Sequence, residues 1–227
     1  MQTPEIQITV PVPSQVRSIC GFLGSYDPLH KGHEWIVERL LGQFEVVLLL
    51  IPALHFEKMV QFPLNATFAQ RLEMLTTFSK RKGKRGRPRP LAVGLTHEVL
   101  FIRLADRLRE RFPSAEISFG MGNETFEKVL ASKAYYDRLG FPWTAKEQAR
   151  LQQLQKRIVV FGRSRNDSGF IPVPEDVRQL SSTRVRETVM ELRRTCAPEA
   201  IWQEQLEKLI SPEILTFISQ KKLYAPV

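Results

Sequence analysis

Two of the chain's four histidines, His30 and His33, stand three residues apart in Gly24-Ser25-Tyr26-Asp27-Pro28-Leu29-His30-Lys31-Gly32-His33. Imidazoles so placed admit four roles: metal ligand, general base, hydrogen-bond donor to a phosphate, or polar turn residue. The neighbouring residue types narrow the choice. Gly24 allows a tight exit from the apolar segment before it, Pro28 fixes a turn, and Gly32 lets a ligand approach the main chain. Trp35, Ile36, Leu40 and Leu41 follow at helical offsets. His33 then falls in a first helical turn, where N–H groups and the dipole favour an anion. A zinc site needs further ligands, yet Asp27 is the one acid between Gly24 and His33, and no zinc-type Cys/His spacing occurs. Neither a P-loop nor a dinucleotide fingerprint is present.

A phosphate site needs a second cationic element, and "LSSTRVRE" at Leu180–Glu187 supplies one. Ser181, Ser182 and Thr183 suit a helix N-cap, and Glu187 suits the first turns. A well-capped helix would need no more. But Arg184 and Arg186 place cations at the positive end of a helix, which is unfavourable unless an anion balances them. Hydroxyls, main-chain N–H groups and arginine together make a cradle for a polyphosphate.

These residues need elements to hold them. Apolar runs predict strands at "RSICGFLG", "FEVVLLLIP", "LAVGL", "EISFGMG" and "RIVVFGR". Between and after them, helices are predicted at "GHEWIVERLL", "NATFAQRLEMLTTF" (capped by Asn65), "EVLFIRLADRLRERF", "ETFEKVLAS", Ala145–Lys156, "SSTRVRETVMELRR" and "SPEILTFISQKKLY". The alternation predicts an α/β fold, a Rossmann-like, doubly wound parallel sheet with helices on both faces. Ligands in such sheets bind beyond the carboxyl ends of the strands. The proline-interrupted residues 1–17 read as a loose arm, and residues 18–227 as one domain with C-terminal helices.

The net charge of +9 is concentrated rather than spread. Lys80, Arg81, Lys82, Lys84, Arg85, Arg87 and Arg89 lie in one Gly/Pro-rich loop, 80–90, so the rest of the chain is nearly neutral. The loop reads as a solvated connector, or as a basic collar for an anionic substrate or RNA. No aromatics interleave with its charges, which argues against base stacking and against nucleic acid as the main partner. No apolar run approaches the ~18 residues of a membrane span, and the N-terminus lacks the basic start of a secretory signal. Two cysteines are too few for a disulfide framework. The expected setting is the cytoplasm.

"GSYDPLHKGH" resembles the G-[ST]-F-D-P-x-H-x-G-H signature of the HIGH-motif nucleotidyltransferase superfamily, and "LSSTRVR" resembles its distal I-S-S-T-x-[IV]-R signature. Within the superfamily the chain is most similar to bacterial nicotinate-mononucleotide adenylyltransferases, from Ile19 to Tyr224. Pro52 followed by Lys58, Arg71 and Met74 in "QRLEML", Gly162-Arg163, and the closing "SPEILTFISQKKLY" all look like parts of that family. The resemblance implies transfer of AMP from ATP to nicotinate mononucleotide, with release of pyrophosphate and with Mg2+ carried on the ATP rather than on protein side chains. It implies that His30, His33, Lys58 and Arg186 act in catalysis. Gly24, Ser25, Tyr26, Gly120, Gly162, Arg163, Ser182 and Thr183 would join His30, His33 and Arg186 around ATP. The chain departs from the family at Gly120-Met121-Gly122-Asn123, where an aspartate is usual, and Tyr135 and Tyr136 stand where a ring-stacking tryptophan is expected. Asn123, Tyr135, Tyr136 and Lys58 are therefore the expected acceptor contacts. Two alternatives follow from the departures: another phosphorylated acceptor, or a degenerate nucleotide-binding paralogue. A homo-oligomer is compatible with the sequence.

Overall fold

The computed structural model describes residues 6–53, 66–83, 86, 88–98, 100–162 and 170–225. Its centre is a seven-stranded sheet formed by β1 (Ile6–Val10), β2 (Ser18–Leu23), β3 (Val46–Pro52), β4 (Leu91–Thr96), β5 (Glu116–Gly122), β6 (Ile158–Gly162) and β7 (Ile171–Pro172). The strand order is β1-β4-β3-β2-β5-β6-β7. All neighbours are parallel except β1, which runs antiparallel to β4.

The run Val46–Ile51 shows why the sheet is covered twice. Its side chains alternate between two cores. Val47, Leu49 and Ile51 enter one, and Val46, Leu48 and Leu50 the other, each at most 1% exposed. Helices α1 (Lys31–Leu41), α2 (Phe68–Ser79), α8 (Ser182–Arg194) and α10 (Pro212–Gln220) close the first core. The second is closed by α3 (Phe101–Arg111), α4 (Asn123–Leu130), α5 (Ser132–Arg138) and α6 (Ala145–Gln155). Each such aliphatic side chain contributes roughly 1.5–3 kcal/mol on burial, so β3 is the element least tolerant of a polar substitution. Two further helices, α7 (Glu175–Arg178) and α9 (Glu199–Leu206), complete the chain. Among the described residues no helix is long and apolar enough to cross a membrane.

The alternating α/β reading and the doubly covered sheet agree with this architecture. Three expectations need correction. Residues 1–17 are not a loose arm throughout, because Ile6–Val10 pairs with β4 and Ile6 is buried. Alternation in "IQITV" was obscured by the prolines around it. The helices α5, α7 and α9 and the two-residue β7 are additions; α5, α7 and β7 are too short for periodicity to detect, and α9 is not singled out by its pattern. Helix α2 is capped by Thr67, whose side chain accepts from Gln70 N in a capping box; Asn65 lies outside the described residues.

The basic loop is docked at its ends. Arg81 pairs with Glu34 at 2.8 Å and Glu213 at 3.4 Å. Arg89 is 8% exposed, lies 2.7 Å from Glu38 and sits 4.4 Å from the Phe78 ring centre. Lys82 and Pro88 form an antiparallel bridge. The reading of this segment as a solvated connector therefore fails for Arg89, while Arg81 stays exposed and ion-paired; Lys84, Arg85 and Arg87 lie outside the described residues.

Candidate active site

From β2 the chain winds through β3 and β4 to one side, then crosses to β5 on the other. The crevice at such a switch point, beyond the carboxyl ends of β2 and β5, is where ligands enter open α/β sheets. A cleft of about 180 Å³ lies there. Phe22, Leu23, His30, Gly32, His33 and Ile36 form one wall, and Gly122, Asn123, Glu124 and Thr125 face them. Phe161, Val173, Val177 and Leu180 supply an apolar side.

The histidine loop is built into the core rather than draped over it. Gly24 N donates to Leu50 O at 3.1 Å, which ties the exit of β2 to β3. The chain then turns at Tyr26, whose φ is +46°. That strained conformation for a non-glycine residue is held by complete burial of the ring and by its hydroxyl donating to Phe22 O at 2.6 Å. The Asp27–Pro28 peptide is cis. Leu29 is fully buried, with its N–H on Met74 Sδ at 3.4 Å.

His30 and His33 then do double duty. His30 is the N-cap of α1: its Nδ1 accepts from Gly32 N at 3.1 Å, and His33 Nδ1 accepts from His30 N at 3.3 Å. An imidazole that accepts through Nδ1 carries its proton on Nε2. The hydrogen bonds thus fix both rings as Nε2–H donors, 3.8 Å apart between centres, beside the cleft. Nδ1 of each is committed to the main chain, which disfavours ligation or base catalysis through that atom. Gly32 lines the cleft and also makes room for the ring: a Cβ there would lie 2.8 Å from Cε1 and Nδ1 of His30.

Helix α8 reaches the same loop from behind. Ser181 is its N-cap and accepts from Arg184 N at 3.1 Å. Ser182 Oγ donates to Pro28 O at 2.9 Å. Arg186 Nη1 donates to Asp27 O, Nη1 also lies 4.0 Å from Asp27 Oδ2, and Nη2 donates to Thr183 Oγ1 at 3.2 Å. The charge of Arg186 is therefore balanced in part by Asp27, which the sequence argument for a missing anion did not foresee. Thr183 and Arg186 do not line the cleft; Leu180 does.

The other expected contacts divide. Ser25 belongs to the loop, and its carbonyl accepts from Arg71 Nη1 at 3.2 Å. Asn123 lies in the cleft, at the start of a helix whose N-cap, Gly122, offers no side-chain cap. Gly120, two residues before Gly122, does not line the cleft. A Cβ on Gly120 would meet Leu40 Cδ1 at 2.6 Å, so this glycine brings α1 down onto the sheet instead of touching the cleft. Gly162 ends β6, and its carbonyl accepts from Val173 N at 3.1 Å. Lys58 and Arg163 lie outside the described residues.

The tyrosines are a correction. Tyr136 is 3% exposed, edge-on to Trp143 at 5.1 Å, and burial followed by the charge of Glu147 pushes its phenol up to about 12. It is a core residue, and Tyr135 packs against the same core. Neither lines the cleft. Glu124, Thr125, Phe161, Val173 and Val177 do, and went unnamed in the sequence. Phe161 had a signal, since it stands one residue before the end of a strand on the ligand edge. The valines had none, being brought in by the fold alone.

Residues 22–188 match the protein family described as cytidylyltransferase-like. A search of curated protein sequences found no match. Among solved structures, the chain is similar to Plasmodium falciparum nicotinic acid mononucleotide adenylyltransferase complexed with NaAD. That pair shares 16% identity with a TM-score of 0.64, over 92% of this chain and 97% of that one. The same enzyme complexed with APC gives 16% and 0.62 over the same shares. A nicotinate-nucleotide adenylyltransferase candidate from Vibrio parahaemolyticus gives 19% and 0.51, over 92% and 95%. At these identities the likeness establishes a shared fold.

Proposed function

Because the chain belongs to the cytidylyltransferase-like family and is a nucleotidyltransferase, we propose that it moves AMP from ATP to the phosphate of nicotinate mononucleotide and releases pyrophosphate, a step of NAD biosynthesis. The observation that carries this reading is the pair of imidazoles locked as Nε2–H donors where the N-termini of α1 and α4 border one cleft.

An oxygen of the acceptor phosphate attacks the α-phosphorus in line. The bond from that phosphorus to the bridging oxygen breaks, and pyrophosphate leaves with the electron pair. The nucleophile is already an anion, so no side chain has to remove a proton. The protein's work is positioning and neutralising the charge that builds on the α-phosphate and the leaving group. His30 and His33 donate to phosphate oxygens, with main-chain N–H groups of the two helix starts. The apolar side at Phe161, Val173 and Val177 receives the base. Thr183 and Arg186, which do not line the cleft, would turn from Asp27 to meet the outer phosphates, the role the resemblance gives them, and the resemblance likewise assigns Lys58 to the phosphates. Mg2+ would neutralise the triphosphate. Phosphate oxygens and water would hold it, with Glu124 among the residues of the cleft.

Pyrophosphate release with ATP and Mg2+ tests the reading, with nicotinate mononucleotide compared against its amide. Turnover with the acid form at least tenfold above the amide supports it. A second reading is favoured by Tyr136 lying in the core instead of at a ring-binding position. On that reading the acceptor is another phosphorylated molecule, and the same assay with CTP and ATP across phosphorylated acceptors separates the two.

A further inference from the structure

Asp27 is the acid inside the histidine loop, and it faces away from the cleft. It is 4% exposed. Its Oδ1 accepts from Ala66 N at 3.1 Å and from the Tyr224 hydroxyl at 2.8 Å, and its carbonyl accepts from Arg186. Four segments far apart in sequence therefore meet on one residue: the loop after β2, the approach to α2, helix α8 and the C-terminal turn.

The C-terminal turn is shaped to make this contact. After α10, Lys222 and Tyr224 both adopt left-handed φ values, +50° and +59°, which few non-glycine residues do without a compensating interaction. Arg193 of α8 donates to Leu223 O at 3.2 Å, and Lys221 pairs with Glu73 of α2 at 2.8 Å. The Tyr224 ring is 3% exposed, and burial, then the Asp27 carboxylate, hold its phenol far above the ordinary range, so it is a donor at any physiological pH. A buried carboxylate left short of donors is costly, which explains why these donors are gathered on it. Arg71, also part-buried beside Asp27, adds its own bond to Ser25 O.

We propose that Asp27 and Tyr224 are positioning residues: the last turn of the chain clasps the histidine loop through the Asp27 carboxylate and so sets where Arg186 and the two imidazoles stand. This rests on the reading of that site as the phosphate site. Geometry lost at a distance from the reacting atoms can cost up to roughly 10²-fold in rate.

Tyr224→Phe removes one hydrogen bond and keeps the ring. Its kcat is expected to fall about tenfold or more, with KM for ATP within about twofold, and the loss is expected to disappear in an Arg186→Ala background because both act through the same placement. Wild-type kcat in Tyr224→Phe, or an equal loss in both backgrounds, overturns the proposal. Asp27→Asn, which keeps an acceptor for Ala66 and Tyr224 but not the charge, should retain more activity than Asp27→Ala; equal loss in both overturns the role of the hydrogen bonds. Amide hydrogen exchange gives a readout independent of turnover. Faster exchange across residues 28–34 in Tyr224→Phe, with β4 unchanged, supports the clasp even if wild-type protein transfers nothing to any acceptor, a result that would sink only the proposed function. Unchanged exchange across 28–34 overturns the clasp.

Discussion

His30 is asked to do two jobs, and they can be separated. As an N-cap it satisfies Gly32 N; its ring also lines the cleft, where the proposed function makes Nε2–H a donor. Asparagine is a good N-cap but lacks the imidazole's reach. His30→Asn should therefore unfold within about 1 kcal/mol of wild type while losing roughly 10²–10³ in kcat, the usual effect of deleting one donor to a developing charge. Urea titration and steady-state pyrophosphate release check the two halves. His33→Ala should lose a comparable factor in kcat, and wild-type turnover in that variant would remove both imidazoles from the mechanism. The histidines, Asp27 and the Ser181–Arg186 segment were visible as chemistry-bearing residues in the sequence. Their division of labour was not. Whether Arg186 faces an incoming anion or Asp27, and whether Tyr136 faces a ligand or Trp143, depends on which side of an element each side chain leaves.

At the scale of elements, β1 carries the clearest consequence. It covers the outer edge of β4 through the pairs Ile6↔Thr96, Gln7↔Leu95 and Ile8↔Gly94, and Arg111 of α3 donates to Ile6 O at 3.2 Å. Deleting residues 1–10 would leave a paired edge open and uncover the apolar residues beneath it. The truncated protein should show a lower thermal midpoint and concentration-dependent association by light scattering, while a loose arm would leave both unchanged. Helix α1 shows the opposite case, an element readable from its pattern. Its apolar positions and its start after the histidine loop follow from 3.6-residue spacing, and the structure ends it on Gly42. Its height above the sheet does not. That depends on Gly120 in a strand distant in sequence, which admits Leu40.

The whole molecule should respond to alkali in a defined direction. Burial raises the Tyr136 phenol to about 12, and Tyr26 and Tyr224 are raised further by their own burial. In the unfolded chain a tyrosine ionises near pH 10. The folded state binds these protons more tightly, so the contribution of Tyr136 to stability is intact below about pH 10 and is lost as pH rises towards about 12. Denaturant midpoints measured from pH 8 to 11.5 should fall above pH 10, and Tyr136→Phe should flatten that fall. An equally steep decline in the variant would assign the effect to the other tyrosines.

By itself the sequence determined the class of fold and the kinds of residue at the site. Strands and helices alternate with clean apolar periods, and glycine, proline, histidine and hydroxyl residues sit at the turns that follow strands. Those are local properties, set by backbone geometry and by which residues neighbour one another along the chain. The tertiary structure alone decided what the local pattern leaves open: the pairing of β1 with β4, the docking of Arg81 and Arg89 on α1 and α10, and the burial of Tyr136. It also decided the meeting of Asp27 with Tyr224, separated by 197 positions along the chain. Each of these joins groups whose separation along the chain carries no signal, and each is selected by the need to pair or bury a group once the sheet and its helices have closed around it.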